Sequence, residues 1–183
     1  MNKLMNVTTL ISGILFTIAV VINVTLGGIV ALAITFGVTF YHFAMRLIVG
    51  TTINAIAKNK MNYNLWWFRP RKFEQKLYEL LKVRKWKKFA PTYAPDTFNM
   101  EKRTPEEIAM TTCQAEVVHE VIVVLSFLPI LLIIWFGEPL VFIITSILSA
   151  LIDLIFIILQ RFNRPRLVRL IQRMKKNERA QTD

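Results

Sequence analysis

The sequence predicts an all-α membrane protein with four transmembrane helices, arranged as two hairpins around a basic middle segment. The chain of 183 residues is 54% hydrophobic and carries a net charge of +11. One small soluble core could not bury so much apolar surface. The apolar residues also fall in blocks of roughly 20, the length of helix that crosses a hydrocarbon layer about 30 Å thick. We therefore interpret residues 1–183 as a single membrane domain.

The first hairpin is predicted from two apolar stretches, residues 5–26 and 29–50, which Gly27-Gly28 separates. Glycine adopts positive φ without steric cost, so this pair marks a tight turn. The first stretch is too long and too continuous for a typical signal peptide, and no small-residue cleavage site stands out. We expect both stretches to be retained as transmembrane helices.

The second hairpin begins with a helix whose start is encoded by Thr104-Pro105-Glu106-Glu107. This run offers a capping threonine, a proline at the first helical position and a glutamate three residues after the cap. The helical pattern continues to about residue 136, so its first turns should lie at the interface and residues 117–136 should span the membrane. A turn at Gly137-Glu138-Pro139 leads into the fourth span, residues 140–159.

Charge predicts the orientation of these helices. The basic middle segment, residues 51–115, holds 13 Lys or Arg against 6 Asp or Glu, and the tail, residues 160–183, holds 8 Lys or Arg. Neither hairpin turn contains Lys or Arg. The positive-inside rule therefore places both termini and the middle segment in the cytoplasm.

The middle segment contains a predicted interfacial amphipathic helix. Its apolar residues share one helix face at i, i+4, i+7 and i+8: Phe73, Leu77, Leu80 and Leu81. Trp66 and Trp67 precede this helix and Trp86 follows it, as aromatic anchors in the headgroup region would. The alternative is a soluble helix that caps the bundle.

Composition excludes several classes of site. The single cysteine, Cys113, excludes an internal disulfide framework, and two histidines are too few for a histidine-rich metal centre. The sequence has no Walker loop and no Gly-x-Gly-x-x-Gly. No cofactor or metal is expected. No nucleic-acid partner is expected either, because the basic residues flank membrane spans.

Ionisable residues at the inner membrane boundary are the candidate catalytic groups, because a charge in a span is costly. His42 and Arg46 share one helix face, and Glu116, His119 and Glu120 share another. A carboxylate such as Glu116 could orient the His119 imidazole, which would then take a proton from a substrate hydroxyl. The alternative is that His119 and His42 are structural residues near the headgroups.

Asp153 and the basic run that follows the fourth span are two further candidate sites. Asp153, within that span, is expected to pair structurally with Arg46 or a histidine, or else to be protonated in a dry site. The cations of Gln160-Arg161-Phe162-Asn163-Arg164-Pro165-Arg166-Leu167 could bind the phosphates of a coenzyme or a lipid headgroup. The alternative is ordinary anchoring to anionic lipid.

Three elements together resemble one known family. They are Val83-Arg84-Lys85-Trp86-Lys87 after an amphipathic Leu-Tyr helix, Thr112-x-x-Ala115-Glu116-x-x-His119, and the run from Gln160 to Leu167. In this order they resemble the glycosyl-4,4'-diaponeurosporenoate acyltransferase family of bacterial membrane proteins, the staphyloxanthin type, over about residues 66–170. Phe162 replaces a tyrosine of the family pattern, and Glu120 stands where an aromatic residue is expected.

The resemblance implies transfer of a fatty acyl group from acyl-CoA or another acyl carrier to a sugar hydroxyl of a glycosylated carotenoid or a related lipid, in the bacterial inner membrane. His119 would be the general base, oriented by Glu116 and supported by Glu120, His42 and Arg46. The expected donor-binding residues are Arg84, Lys85, Trp86, Lys87, Asn163, Arg164 and Arg166. Two other classes remain open: another lipid-modifying transferase, for phospholipid or methyl groups, and a non-enzymatic lipid-binding protein. Oligomeric state is not predicted.

Overall fold

The computed structural model describes residues 2–89 and 98–182, and no strand occurs among them. The α-helices in this part of the chain are α1 (Asn2–Leu26), α2 (Val30–Ala57), α3 (Lys72–Leu80), α4 (Val83–Trp86), α5 (Pro105–Leu125), α6 (Ile133–Phe136) and α7 (Pro139–Thr182). Short 3-10 segments lie at Trp66–Phe68, Lys87–Phe89 and Leu128–Leu132. The predicted all-α class is therefore confirmed for the described residues.

Four helical stretches are long and apolar enough to cross a membrane, judged by length and composition over the described residues. They are Lys3–Leu26, Val30–Ala57, Pro105–Phe136 and Pro139–Gln181. Their number and order agree with the four spans that the sequence predicts.

The two turns lie where the sequence predicts them. Gly27 and Gly28 have φ of +73° and +83°, and Gly137 and Glu138 have φ of +68° and +51°. These left-handed conformations stop one helix and redirect the chain into the next, with Pro139 at the first position of α7.

The start of α5 is a complete capping box. The Thr104 backbone N–H donates to Glu107 Oε2 at 2.8 Å, and the Glu107 backbone N–H donates to Thr104 Oγ1 at 3.2 Å. Two N–H groups at the helix start are thereby satisfied, which explains why the helix begins at Pro105.

The predicted helical stretch does reach residue 136, but it is not one continuous α-helix. The α-helix stops at Leu125, and a 3-10 segment and α6 follow, because Pro129 has no N–H to donate to the Leu125 carbonyl four residues earlier. The hydroxyl of Tyr41 donates to that carbonyl at 2.9 Å. A long-range contact thus replaces the missing helical hydrogen bond.

Two other helices are longer than predicted. Helix α2 extends from the expected end at residue 50 to Ala57, and α7 continues through the expected separate tail to Thr182. The residues after Gln160 are mostly Arg, Lys, Gln and Leu, which are strong helix formers. Pro165 lies inside α7 without ending it.

The chain divides into two compact units. Unit 1 comprises Met1–Thr52 and Val118–Leu154, and unit 2 comprises Ile53–Val117 and Ile155–Asp183. In unit 1, α1 and α2 approach closely at two glycines. A Cβ at Gly13 would lie 3.1 Å from the Phe40 ring, and a Cβ at Gly37 would lie 2.8 Å from the Phe16 ring. Small residues permit this close helix packing.

Unit 2 has a small apolar core made of Val83, Phe156 and Leu159, against which Tyr78 and Phe162 pack. Helix α3 turns Glu74 inward, with 4% of the residue exposed. Two of its large apolar residues face outward, Phe73 with 60% and Leu80 with 77% of the residue exposed. This arrangement is the reverse of a helix that packs its apolar face onto a soluble core.

Candidate functional site

Unit 1 contains a buried polar cluster centred on Asp153, the Asp153 cluster, made of Arg46, His119, Ser149 and Asp153. Asp153 is 2% exposed. Its Oδ2 accepts a hydrogen bond from Arg46 Nη2 at 2.5 Å, and its Oδ1 lies 2.7 Å from His119 Nδ1. Arg46 Nη2 also donates to Ser149 Oγ at 2.9 Å. The expected structural pairing of Asp153 is therefore confirmed, and it involves both the arginine and a histidine.

The contact with Asp153 orients the His119 ring. Asp153 Oδ1 lies 2.7 Å from His119 Nδ1, and Arg46 holds the other carboxylate oxygen, Oδ2. In the neutral tautomer that carries its proton on Nδ1, the basic lone pair is on Nε2. This is the arrangement in which a histidine accepts a proton from a hydroxyl.

His42 and Glu120, the other predicted supporting residues of unit 1, have different surroundings. His42 is buried beside Tyr41, and neither of its ring nitrogens has a hydrogen-bond partner in the described part of the chain. Glu120 lies at the edge of an open, largely apolar depression lined also by Val121, Val124 and Leu125.

Unit 2 contains a second buried cluster, the Glu116 network, made of Glu74, Glu116, Arg161 and Arg164. Arg161 Nη1 donates to Glu116 Oε1 at 2.5 Å, and Arg161 Nη2 donates to Glu74 Oε1 at 2.6 Å. Arg164 donates to Glu116 Oε2. Two guanidinium groups are thus balanced by two carboxylates, which removes most of the cost of burying them.

The Glu116 network gives two predicted site residues contacts that the sequence did not predict. The Glu116 carboxylate, predicted to orient His119, accepts from two arginines, and the carboxylate that contacts His119 Nδ1 is Asp153. Arg164 was expected at the phosphates of a donor. It is 2% exposed, and its guanidinium donates to Thr112 and to the Phe68 carbonyl as well as to Glu116.

The sequence analysis counted Arg161 only among the cations that could bind phosphate, and it did not select Glu74. Arg161 also donates to the carbonyls of Trp67 and Arg69, so it holds the aromatic segment before α3. The signal for Arg161 was its spacing of three from Arg164, which places both on one face of a continued α7. No comparable signal marks Glu74, which lies on a helix among other charged residues. Burial and the neighbouring charge of Glu74 raise the pKa of Tyr78, whose hydroxyl donates to Glu74 Oε2.

Three other cations of unit 2 form a group beside the Phe162 ring. This Phe162 cation cluster consists of Lys87 and Arg166, which contact the ring, and Arg84, whose charge acts on Lys87. Lys87 Nζ lies 5.0 Å and Arg166 Cζ 4.8 Å from the ring centroid, and Lys87 Nζ donates to Asn163 Oδ1 at 3.3 Å. Partial burial, followed by the charges of Arg166 and Arg84, lowers the pKa of Lys87. Four predicted donor-binding residues are therefore neighbours.

The remaining predicted donor-binding residues are placed differently. Trp86 packs against the Val83 core and donates from Nε1 to the Leu81 carbonyl at 2.9 Å, whereas Lys85 is exposed. The predicted aromatic anchors Trp66 and Trp67 are exposed, and the Arg71 guanidinium lies 6.0 and 5.8 Å from their ring centroids.

Comparison with family models identifies the family of the chain. The model of the glycosyl-4,4'-diaponeurosporenoate acyltransferase family matches residues 64–173, which is more than half of the chain. This range includes His119, Asp153, the Glu116 network and the Phe162 cation cluster, but not His42 or Arg46. No curated protein and no solved structure matches the chain.

Proposed function

Because the chain belongs to the glycosyl-4,4'-diaponeurosporenoate acyltransferase family, we propose that it is a membrane enzyme that transfers a fatty acyl group to a hydroxyl of a glycosylated carotenoid or a closely related lipid-linked sugar. The observation that carries the mechanism is the pairing of His119 Nδ1 with Asp153 inside the matched range. A histidine held by a buried carboxylate is an arrangement suited to activating a hydroxyl.

In the proposed reaction His119 is the general base. Its Nε2 accepts the proton of the sugar hydroxyl while the hydroxyl oxygen bonds to the carbonyl carbon of the acyl donor. The tetrahedral intermediate then collapses, the bond from the carbonyl carbon to the leaving group breaks, and His119 returns the proton to that leaving group. Asp153 stabilises the transient imidazolium, and no covalent acyl-enzyme is required.

Arg46, His42 and Glu120 have supporting roles in this proposal. Arg46 is the ion-pair partner of Asp153, and its contact with Ser149 fixes the guanidinium in place. His42 is buried, and neither ring nitrogen has a partner among the described residues, so it can hydrogen-bond a polar group of the substrate. Glu120 borders the apolar depression and would face the substrate entrance.

The proposed location is the bacterial inner membrane, with both termini on the cytoplasmic side, as the distribution of Lys and Arg favours. Helix α3 would lie in the headgroup region. Its outward apolar side chains, together with exposed Trp66 and Trp67, match the composition of an interfacial helix, and Arg71 adds a cation beside the indoles. Membrane lipid is thus a partner, and the acceptor would approach from the bilayer.

The test uses membranes that contain the wild-type chain or one variant, supplied with a glycosylated carotenoid and labelled acyl-CoA, with the product measured by mass spectrometry. His119→Ala should lower acyl transfer by roughly 10²- to 10⁴-fold, the usual contribution of a general base. Leu148→Ala, which alters an exposed side chain of α7 in unit 1, controls for expression and should transfer normally. Normal transfer by His119→Ala would refute the mechanism.

The same assay separates the other classes of function. Consumption of S-adenosylmethionine in place of acyl-CoA would identify a methyltransferase. Lipid that co-purifies with the chain and is never converted would identify a binding protein. The pigment and lipid profiles of cells with and without the gene then identify the natural acceptor.

A further inference from the structure

From the Phe162 cation cluster we infer a binding site for a phosphate or diphosphate group. The inference rests on the proposed function in one respect, because an acyl donor of the coenzyme A type carries such groups. An anionic phospholipid headgroup presents the same chemistry, and the test below distinguishes the two sources.

The first argument is charge balance within unit 2. Arg161 and Arg164 are neutralised by Glu74 and Glu116. In contrast, none of Arg84, Lys87 and Arg166 forms an ion pair with a carboxylate of residues 2–89 or 98–182. Partial burial lowers the pKa of Lys87, and the charges of Arg166 and Arg84 lower it further. Like charges held close together are destabilising unless an anion lies among them.

The second argument is geometry. Lys87 Nζ and Arg166 Cζ lie 5.0 and 4.8 Å from the centroid of the Phe162 ring. One diphosphate group bound beside the ring can therefore contact both cations. The ring is itself fixed by an edge contact with Tyr78 at 5.2 Å between centroids. Asn163 accepts from Lys87 Nζ and thereby holds the ammonium in place. Its amide nitrogen is a further donor that phosphate oxygens could accept from.

The third argument is the types of side chain. Two guanidinium groups and one ammonium group provide the bidentate and point-charge donors that phosphate oxygens prefer. Arg84 and Arg166 are exposed, so a ligand can reach them from solvent or from the headgroup layer. Arg164, which was also predicted to bind phosphate, is not part of this site. Its guanidinium N–H groups already donate to Thr112 and Glu116.

The experiment measures binding, not catalysis, so its failure is distinguishable from failure of the proposed reaction. The full chain is reconstituted in nanodiscs of zwitterionic lipid and titrated with coenzyme A, and separately with pyrophosphate. The double variant Lys87→Gln/Arg166→Gln should lose about tenfold in affinity for each cation removed. The matched control is Arg173→Gln, an exposed arginine seven residues after Arg166 on the same face of α7, which should leave affinity within about threefold.

A second arm replaces the lipid with discs that contain phosphatidylglycerol and measures retention of that lipid after detergent exchange. Loss of coenzyme A binding in the double variant assigns the site to a soluble donor, and loss of phosphatidylglycerol retention assigns it to a headgroup. Either result supports the site. Equal affinity of wild type, double variant and control for every ligand overturns it, provided that all three unfold at the same temperature.

Discussion

Substitution of Asp153 by asparagine is the sharpest perturbation of the Asp153 cluster. In wild type, the two carboxylate oxygens contact Arg46 at 2.5 Å and His119 at 2.7 Å. In Asp153→Asn the amide oxygen should remain with Arg46, which turns the amide N–H₂ towards His119 Nδ1. That nitrogen then accepts, so the imidazole proton moves to Nε2 and the base is lost.

Two magnitudes follow for Asp153→Asn. In catalytic triads the loss of the correct histidine tautomer costs about 10⁴-fold in rate, equivalent to about 5.5 kcal/mol. The buried charge of Arg46 also loses its counter-ion, and breaking such a pair typically costs about 3–5 kcal/mol of stability. Contacts from Arg46 to Ser149 should reduce that loss. Acyl transfer per folded molecule and thermal unfolding in detergent measure the two effects separately.

A double variant distinguishes chemistry from folding. Arg46→Gln/Asp153→Asn removes both charges, so it should regain most of the stability that Asp153→Asn loses. Its acyl transfer should remain low. Wild-type transfer by the single variant, normalised to folded protein, would refute the assignment of Asp153. Recovery of transfer in the double variant would show that the single substitution acted only through stability.

Three further predictions concern the rest of the molecule. Glu116→Gln should destabilise unit 2 by about 3–5 kcal/mol, because it leaves two buried arginines with one carboxylate, and any loss of acyl transfer should follow the loss of folded protein. Gly37→Ala should lower the unfolding temperature relative to Gly50→Ala. A Cβ at residue 37 would lie 2.8 Å from the Phe16 ring, whereas a Cβ at residue 50 would have nothing within 4 Å. Overpacking of this kind costs about 1–3 kcal/mol of stability. Affinity for pyrophosphate should weaken as pH rises through the lowered pKa of Lys87, because the ammonium that binds the anion is neutralised; a pH-independent affinity across the alkaline range would contradict this.

Local signals account for the parts of the fold that could be predicted. The capping box at Thr104 and Glu107 acts over three residues, and the turn at Gly27-Gly28 requires only the freedom of glycine to adopt positive φ. The number of long apolar helices follows from composition alone. Each of these features depends on residues that are neighbours in sequence, so no knowledge of packing was needed.

Helix ends that depend on distant residues were not predicted. Helix α5 stops at Leu125 because Pro129 cannot donate, and Tyr41 satisfies the open carbonyl from 84 positions away. A proline in an apolar run is compatible with a kink or with an end, and only the contact from Tyr41 shows which occurs. The aromatic residue was visible in the sequence, but its partner was not.

The candidate site shows the same division between residue type and partner. His119 could be selected because an ionisable residue in a span is costly. A pair three residues apart on one helix, such as Glu116 and His119, typically gains only about 0.2–0.5 kcal/mol. An uncompensated buried charge costs several kcal/mol, so each group takes the partner that best balances its charge. Glu116 therefore joins two arginines of α7, and His119 joins Asp153, whose second oxygen is held by Arg46. Glu116 and His119 thus lie on one helix face in one motif but have different roles. Glu116 is the counter-ion of two arginines, and His119 is the proposed base.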